Sequence, residues 1–101
     1  MEKRRPHHAL EAIKEAFADP ARLNRTMSAL RGIEALDLDD QAVVEIIANL
    51  TTRDFDKSMT SYADRRNWQD VYKPVIKGRA LYVKFTLDAQ QEYLLLSFKE
   101  A

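Results

Sequence analysis

The chain of 101 residues carries sixteen Lys and Arg against sixteen Asp and Glu, has 46% hydrophobic residues and contains no cysteine. This length predicts one small domain spanning residues 1–101, and the missing cysteines exclude disulfides and thiolate metal sites. No apolar run approaches the roughly 18 residues that cross a bilayer, so we expect a cytoplasmic protein.

Three helices are predicted in the first half of the chain. Pro6 suits the first turn of the first helix, and the pair Asp19-Pro20 ends it. Thr26 can cap the second helix, and the pair Asp39-Asp40 suits the positive N-terminus of the third. The three apolar stripes are Leu10, Ile13 and Phe17; Leu30, Ile33 and Leu36; and Val43, Ile46, Ile47 and Leu50. Stripes of this kind predict a hydrophobic core.

Strands are predicted in the second half, where apolar residues recur at every second position. Alternation over residues 81–87 and 94–98 predicts the two strands of a hairpin. Another strand is expected from about Gln69 to Ile76, followed by a two-residue turn at Lys77-Gly78. Helices followed by strands indicate an α+β fold, with N-terminal helices packed on a C-terminal antiparallel sheet.

One side of this sheet is predicted to be polar and open to solvent, and we call it the open face. If Leu87 pairs with Glu92, the large apolar side chains of the hairpin share one side and Tyr82 lies opposite Ser97. The turn at residues 77–78 then places Lys73 opposite Tyr82. The residues expected on the open face are Gln69, Lys73, Tyr82, Lys84, Ser97 and Lys99. Ammonium, amide and phenol groups together form a platform suited to phosphates and bases.

Lys57 and the histidine pair His7-His8 are not placed on the open face by the sequence pattern. Alternation groups Lys57 with Phe55 and Met59, which look buried, so the pattern alone does not bring Lys57 to the open face. The adjacent His7 and His8 are expected on a helix, where neighbours point in different directions, and no acidic residue is spaced for ligation. We therefore expect no metal site.

Positive charge is concentrated locally in the second half of the chain. The segment 65–79 holds one acidic residue, Asp70, against Arg65, Arg66, Lys73, Lys77 and Arg79. Three aromatic residues nearby, Tyr62, Trp68 and Tyr72, either stack on bases or belong to the core and its rim. These features are compatible with RNA binding, although the balanced net charge does not require it.

Three separated segments resemble one family. The central run Phe55-Asp56-Lys57-Ser58-Met59-Thr60-Ser61-Tyr62-Ala63-Asp64 is followed by Trp68-Gln69-Asp70-Val71-Tyr72. The chain begins with Met1-Glu2-Lys3-Arg4, then Pro6-His7, and ends with Ser97-Phe98-Lys99-Glu100. In these segments the sequence resembles the motility quorum-sensing regulator (MqsR) toxins, which belong with the RelE-like bacterial ribonucleases.

The resemblance implies a RelE-like fold and a specific chemistry. Such a protein would be a ribosome-independent endoribonuclease toxin that cleaves mRNA and halts translation. The 2′-hydroxyl would attack its own 3′-phosphate, without a metal or other cofactor, leaving a cyclic phosphate and a free 5′-hydroxyl. By motif context the catalytic positions are Lys57, Gln69, Tyr82 and Lys99. Lys57 or Tyr82 would transfer protons, Lys99 would stabilise the transition state, and Gln69 would orient base or phosphate.

RNA binding and a protein partner complete the expectation. The residues expected to contact RNA are Lys73, Lys84, Arg65 and Tyr62. The partners implied are single-stranded mRNA and a cognate helix-turn-helix antitoxin of the MqsA kind, with no membrane and no small-molecule cofactor. The alternative is a non-catalytic RelE-like module that binds its antitoxin or RNA, which the balanced charge favours. No glycine-rich phosphate loop or nucleophile elbow supports a small-molecule enzyme.

Overall fold

The computed structural model describes residues 1–101 and has three helices packed on a six-stranded antiparallel sheet. The helices are α1 (Leu10–Ala16), α2 (Met27–Ala35) and α3 (Asp40–Ala48). The strands are β1 (Glu2–Lys3), β2 (Phe55–Thr60), β3 (Trp68–Tyr72), β4 (Val75–Ile76), β5 (Arg79–Leu87) and β6 (Tyr93–Glu100). The predicted α+β class is therefore confirmed, while β1 was not predicted. None of the helices is long and apolar enough to cross a membrane.

Side-chain caps define the starts of α2 and α3 as predicted. The Thr26 hydroxyl accepts a hydrogen bond from the Ala29 amide at 3.0 Å. The Asp39 carboxylate accepts one from the Ala42 amide at 2.8 Å. Each cap satisfies a first-turn amide that has no partner within its helix.

The first helix begins later than Pro6, the position that the sequence suggested. His7 and His8 precede α1 and their backbone amides donate to the buried carboxylate of Asp70, at 3.0 and 2.8 Å. The expectation that the two histidines lie on a helix was therefore wrong. The carboxylate of Asp70, some sixty residues away along the chain, binds these two amides and holds His7 and His8 outside the helix.

The core lies between the helices and one side of the sheet. Its fourteen buried side chains are Ile13, Phe17, Ala29, Ile33, Val43, Ile46, Ile47, Leu50, Tyr72, Leu81, Val83, Phe85, Leu95 and Phe98. The helical stripes supply seven of them, Leu10 and Leu36 pack at the margin, and Leu30 is only partly buried. The stripes are thus core, as their spacing predicted.

The predicted strand 69–76 is interrupted but keeps its predicted register. β3 and β4 both pair with β5, with Tyr72 opposite Val83 and Ile76 opposite Arg79. The break falls at Pro74, which has no amide to donate; the Leu81 amide donates to its carbonyl at 2.9 Å. Lys77 and Gly78 form the predicted two-residue turn, with φ of 52° and 78°.

The register predicted for the β5–β6 hairpin was wrong. Leu87 lies opposite Tyr93 rather than Glu92, and a β-bulge separates the pair Phe85–Leu95 from the pair Lys84–Ser97. The extra residue lets Leu95 and Phe98 face the core, although they are three positions apart. Leu94 and Leu96, expected in the core, are only partly buried.

Contacts from a distant segment stabilise this bulge. The chain just before α2 runs beside β6, where the Leu95 amide donates to the Asn24 carbonyl at 2.8 Å. The Thr26 amide donates to Leu95, and the Thr26 hydroxyl donates to the Leu96 carbonyl at 2.9 Å. These bonds cross about seventy residues of sequence, so alternation within β6 could not reveal them.

Candidate active site on the open face

A β-bulge at Asp56 brings Lys57 to the open face. Phe55 lies opposite Tyr72 on the core side, with ring centroids 5.5 Å apart, whereas Lys57 lies opposite Val71. The extra residue between Phe55 and Lys57 reverses the alternation. The expectation that Lys57 shares a side with Phe55 was therefore wrong.

Lys57 belongs to a row of residues that crosses four strands. Val71 of β3 lies opposite Lys57 of β2 on one side and Lys84 of β5 on the other, and Lys84 lies opposite Ser97 of β6. Val71 has no exposed surface although it points away from the core. Its two neighbours are lysines, so their aliphatic stems cover it while their ammonium groups remain above it. Val71 thus forms an apolar floor beneath two cations.

A second row places Tyr82 among the lysines. Tyr82 lies directly opposite Lys99, rather than diagonal to it as the predicted register implied. The Lys99 ammonium is 5.4 Å from the centre of the Tyr82 ring, and the Lys84 ammonium is 5.9 Å from it. Cations at these distances are attracted to the electron-rich ring face. The Tyr82 ring therefore lies close to two ammonium groups.

Carboxylates pair with some of these lysines and not with others. The Lys57 ammonium is 3.3 Å from a Glu2 carboxylate oxygen, and the Lys73 ammonium is 3.7 Å from Asp56. Lys84 and Lys99 form no salt bridge. Glu2 comes from β1, which pairs with β2 and was not predicted, so its ion pair with Lys57 could not be anticipated from the strand pattern.

The environment shifts the proton affinity of two groups in opposite directions. Burial raises the pKa of Tyr82, an effect that Lys57 opposes and Asp56 reinforces. Burial lowers the pKa of Lys84, and the nearby charges of Lys99 and Lys57 lower it further. Tyr82 therefore keeps its proton at neutral pH, while the neutral amine of Lys84 becomes easier to form.

Gln69 and Lys73 lie on the same side of the sheet, at either end of β3. Gln69 is half-buried and lies opposite Met59 of β2, two residues before Val71. Same-side neighbours on a strand are about 7 Å apart, so the Gln69 amide is one step from the lysine row. Lys73 follows β3 and is exposed. The registers thus bring Lys57, Gln69, Tyr82 and Lys99 to one face, together with Lys73 and Lys84.

Two of the residues expected to bind RNA lie elsewhere. Arg65 and Tyr62 are exposed in the loop of residues 61–67, which joins β2 to β3 beyond the Gln69 end of the face. Tyr72 is fully buried in the core and has no surface on which a base could stack. Trp68 stacks on His7, with ring centroids 5.3 Å apart, and the Lys3 ammonium lies 4.2 Å from its ring centre.

The structure has no group of three or more His, Cys, Asp or Glu side chains that could hold a metal ion. His7 and His8 are held by their backbone bonds to Asp70, and a ring nitrogen of His8 lies 3.1 Å from the Trp68 carbonyl. These histidines therefore contribute to the attachment of the N-terminal segment.

The fold and the open face define a small α+β protein whose sheet presents lysines, an amide and a phenol on one surface. A family model described as "Motility quorum-sensing regulator, toxin of MqsA" matches residues 5–100. The chain is also 39% identical over 100 residues, covering 99% of both chains, to the mRNA interferase toxin MqsR of Escherichia coli (strain K12). The chain therefore belongs to the motility quorum-sensing regulator (MqsR) toxin family, and the resemblance found in its motifs is confirmed.

Proposed function

We propose that this toxin, an endoribonuclease, cleaves mRNA independently of the ribosome and without a metal ion. The observation that carries the proposal is the convergence of Lys57, Gln69, Tyr82 and Lys99 on the open face. Membership of a family that includes an mRNA interferase supports the same activity. The 2′-hydroxyl attacks the adjacent 3′-phosphate, and the 5′-oxygen leaves.

The geometry supports distinct roles for these residues. Tyr82 suits the proton donor for the leaving 5′-oxygen, because burial raises its pKa and keeps the phenol protonated. Lys99 and Lys57 supply positive charge to the phosphoryl oxygens of the transition state. Gln69, an uncharged amide beside the lysine row, orients a base or a phosphate oxygen. Lys73 and Lys84 contact the backbone of the RNA. Arg65 and Tyr62 contact the RNA where it continues along the β2–β3 loop.

We propose that a cognate antitoxin with a helix-turn-helix region, of the MqsA kind, neutralises the protein. The description of the matching family includes the words "toxin of MqsA", which supports an antitoxin of that kind. Both partners act in the cytoplasm, where the mRNA and the ribosomes are. Without the antitoxin, expression of the chain is expected to slow growth by halting translation.

A second candidate is a non-catalytic module that binds the antitoxin or RNA. The observation that favours it is the balance of sixteen basic and sixteen acidic residues, since nucleic-acid enzymes usually carry a basic excess. Binding alone would leave RNA intact, so the two candidates differ in a single measurable product.

The test is to incubate the purified protein with single-stranded RNA in excess EDTA and to identify the new ends. We expect 2′,3′-cyclic phosphate and 5′-hydroxyl ends, formed at the same rate with and without EDTA. Cleavage that stops with EDTA and returns with a divalent ion would reject the metal-free mechanism. Intact RNA that nevertheless binds the protein would establish the non-catalytic candidate.

A further inference from the structure

Lys84 occupies the centre of the open face. It lies opposite Val71 on one side and Ser97 on the other, and its ammonium is 5.9 Å from the centre of the Tyr82 ring. Its side chain is partly buried and lies beside the fully buried Val71. A substrate phosphate between Lys57 and Lys99 therefore lies beside Lys84 as well.

The lysines of this face differ in what compensates their charge. Lys57 and Lys73 each form an ion pair with a carboxylate, with Glu2 and Asp56 respectively. Lys99 is exposed, so water solvates its charge. Lys84 alone is half-buried, has no carboxylate partner and lies among other cations. A lysine in such surroundings forms the neutral amine, which can accept a proton, more readily than a fully solvated lysine does.

We propose that Lys84 is the general base of this ribonuclease, in addition to any contact that it makes with the RNA backbone. The inference rests on the proposed function and names the group that activates the nucleophile. The sequence suggested only RNA binding for Lys84, because nothing in the strand pattern reveals which lysine lacks a counterion.

Lys84 and Tyr82 together account for both proton transfers of the cleavage step. The neutral amine of Lys84 takes the proton of the 2′-hydroxyl as the 2′-oxygen forms its bond to phosphorus. The bond between phosphorus and the 5′-oxygen breaks, and the Tyr82 phenol gives its proton to that oxygen. The products are a 2′,3′-cyclic phosphate, a 5′-hydroxyl, a Lys84 ammonium and a Tyr82 phenolate, and a proton transfer from Lys84 to Tyr82 restores the starting state.

Every strand beside Lys84 contributes a group that affects its charge. Lys57 on β2 and Lys99 on β6 are cations that favour the neutral amine, as burial does. Lys73 follows β3, and its charge is paired with Asp56. The Tyr82 phenol on β5 is neutral, and the carboxylates of Glu2 and Asp56 are each paired with another lysine. The value of kcat/KM, which reports the free enzyme, should therefore rise with pH through a lysine pKa below the ordinary 10.5.

The decisive variant is Lys84→Arg, which keeps the positive charge but has no accessible neutral form. We expect its cleavage rate to fall ~100- to 10,000-fold, the usual loss of an acid–base group, with unchanged affinity for RNA carrying a 2′-deoxy residue at the cleavage position. Lys77→Arg, in the turn between β4 and β5 and away from the face, is the matched control and should cleave at the wild-type rate.

A second measurement follows the Lys84 side chain directly. The Lys84 side chain of the wild-type protein, followed by nuclear magnetic resonance of its terminal carbon and nitrogen, should titrate with a pKa below the ordinary lysine value of 10.5. In Lys99→Met, which removes a neighbouring cation, the titration of Lys84 should move to higher pH.

Three outcomes would overturn the assignment. A Lys84→Arg protein that cleaves at the wild-type rate would show that Lys84 contributes only positive charge. The proposed function would still hold in that case if the wild-type protein produces cyclic-phosphate ends. A Lys84 side chain that titrates at or above the ordinary 10.5 would overturn the assignment even if Lys84→Arg fails to fold. A wild-type protein that binds RNA without cutting it would overturn the proposed function and the general base together.

Discussion

Two tyrosines on opposite sides of the sheet show how the same strands separate stability from chemistry. Tyr72 faces the core, is fully buried, and packs against Phe55 and Phe85. Tyr82 faces outward, is half-buried, and lies close to the ammonium groups of Lys84 and Lys99. Burial raises the pKa of both phenols, but only Tyr82 has charged groups of the open face around it. Burial therefore accompanies core packing at Tyr72, whereas at Tyr82 it changes the proton affinity of a candidate catalytic group.

Each side of the sheet also contains one residue of the opposite character. Val71 is an apolar, fully buried residue on the open face. Asp70, next to it in the chain, is a fully buried carboxylate on the other side, where it accepts hydrogen bonds from the amides of His7 and His8 and from the Ser58 hydroxyl. Val71 provides a floor for the lysines, and Asp70 attaches the N-terminal segment whose Glu2 pairs with Lys57. The two faces therefore depend on each other through β3.

The largest expected effect is on the open face, from Tyr82→Phe. Removal of the proton donor should lower the RNA cleavage rate ~100- to 10,000-fold. The free energy of unfolding should change by no more than about 0.5–1 kcal/mol, since no core contact is lost. The measurement pairs a cleavage rate with a thermal melt. Cleavage at the wild-type rate would show that Tyr82 is not the donor and would favour Lys57 in that role.

The adjacent residues Phe98 and Lys99 sharpen the comparison, because they lie on opposite sides of β6. Phe98→Ala should cost about 3–5 kcal/mol of stability through a core cavity, with activity lost through unfolding. Lys99→Ala should melt close to the wild type, within about 0.5–1 kcal/mol, yet lose cleavage and toxicity. Chemical denaturation of both variants, alongside RNA cleavage, checks the pair. Equal destabilisation by the two substitutions would mean that β6 does not separate the faces.

A smaller effect is expected from Asp70→Asn. The amide keeps one acceptor oxygen but turns its NH₂ group toward donors, so at least one of the three groups that donate to Asp70 loses its acceptor and is left buried and unpaired. We expect a loss of about 1–3 kcal/mol of stability. Ser58→Ala removes only the hydroxyl donor and should cost less. If denaturant titrations give Ser58→Ala the larger cost, the attachment of the N-terminal segment does not depend on Asp70.

The features predicted correctly are those determined by residues close together in the chain. The caps of Thr26 and Asp39 act on amides three residues later. The turn at Lys77-Gly78 needs only two residues with positive φ, and it set the register between β3 and β5 on both sides of Pro74. Local chemistry therefore identified the helices, one turn and most of the open face.

The errors arose where distant segments meet. The bulge in β6 is stabilised by the Thr26 segment about seventy residues away, and it changes which of three consecutive leucines is buried. The bulge at Asp56 reverses the side on which Lys57 lies. The pairing of Lys57 with Glu2 depends on β1, a strand of two residues that no periodicity could reveal. Consequently the residue types of the candidate site were predictable, but the counterions that distinguish one lysine from another were not.

The smallest expected effect returns to Tyr72 and is best measured by its pH dependence. The Tyr72 hydroxyl is buried and has no hydrogen-bond partner, so Tyr72→Phe removes an unsatisfied polar group and should leave stability at pH 7 unchanged or raised by up to about 1 kcal/mol. Burial, reinforced by the charge of Asp70, raises the pKa of Tyr72 from 10.0 to about 12. Because the unfolded chain loses this proton first, the stability that the neutral phenol contributes is fully present below pH 10 and is lost as the pH rises toward 12.

Urea titrations of the wild type and Tyr72→Phe across this range should show a smaller alkaline loss of stability for Tyr72→Phe. Tyr82→Phe, which changes the half-buried phenol of the open face, should follow the wild type more closely. A Tyr72→Phe protein destabilised by more than 1 kcal/mol at pH 7 would imply that the hydroxyl has a partner and that the core side contains a polar contact as important as those of the open face.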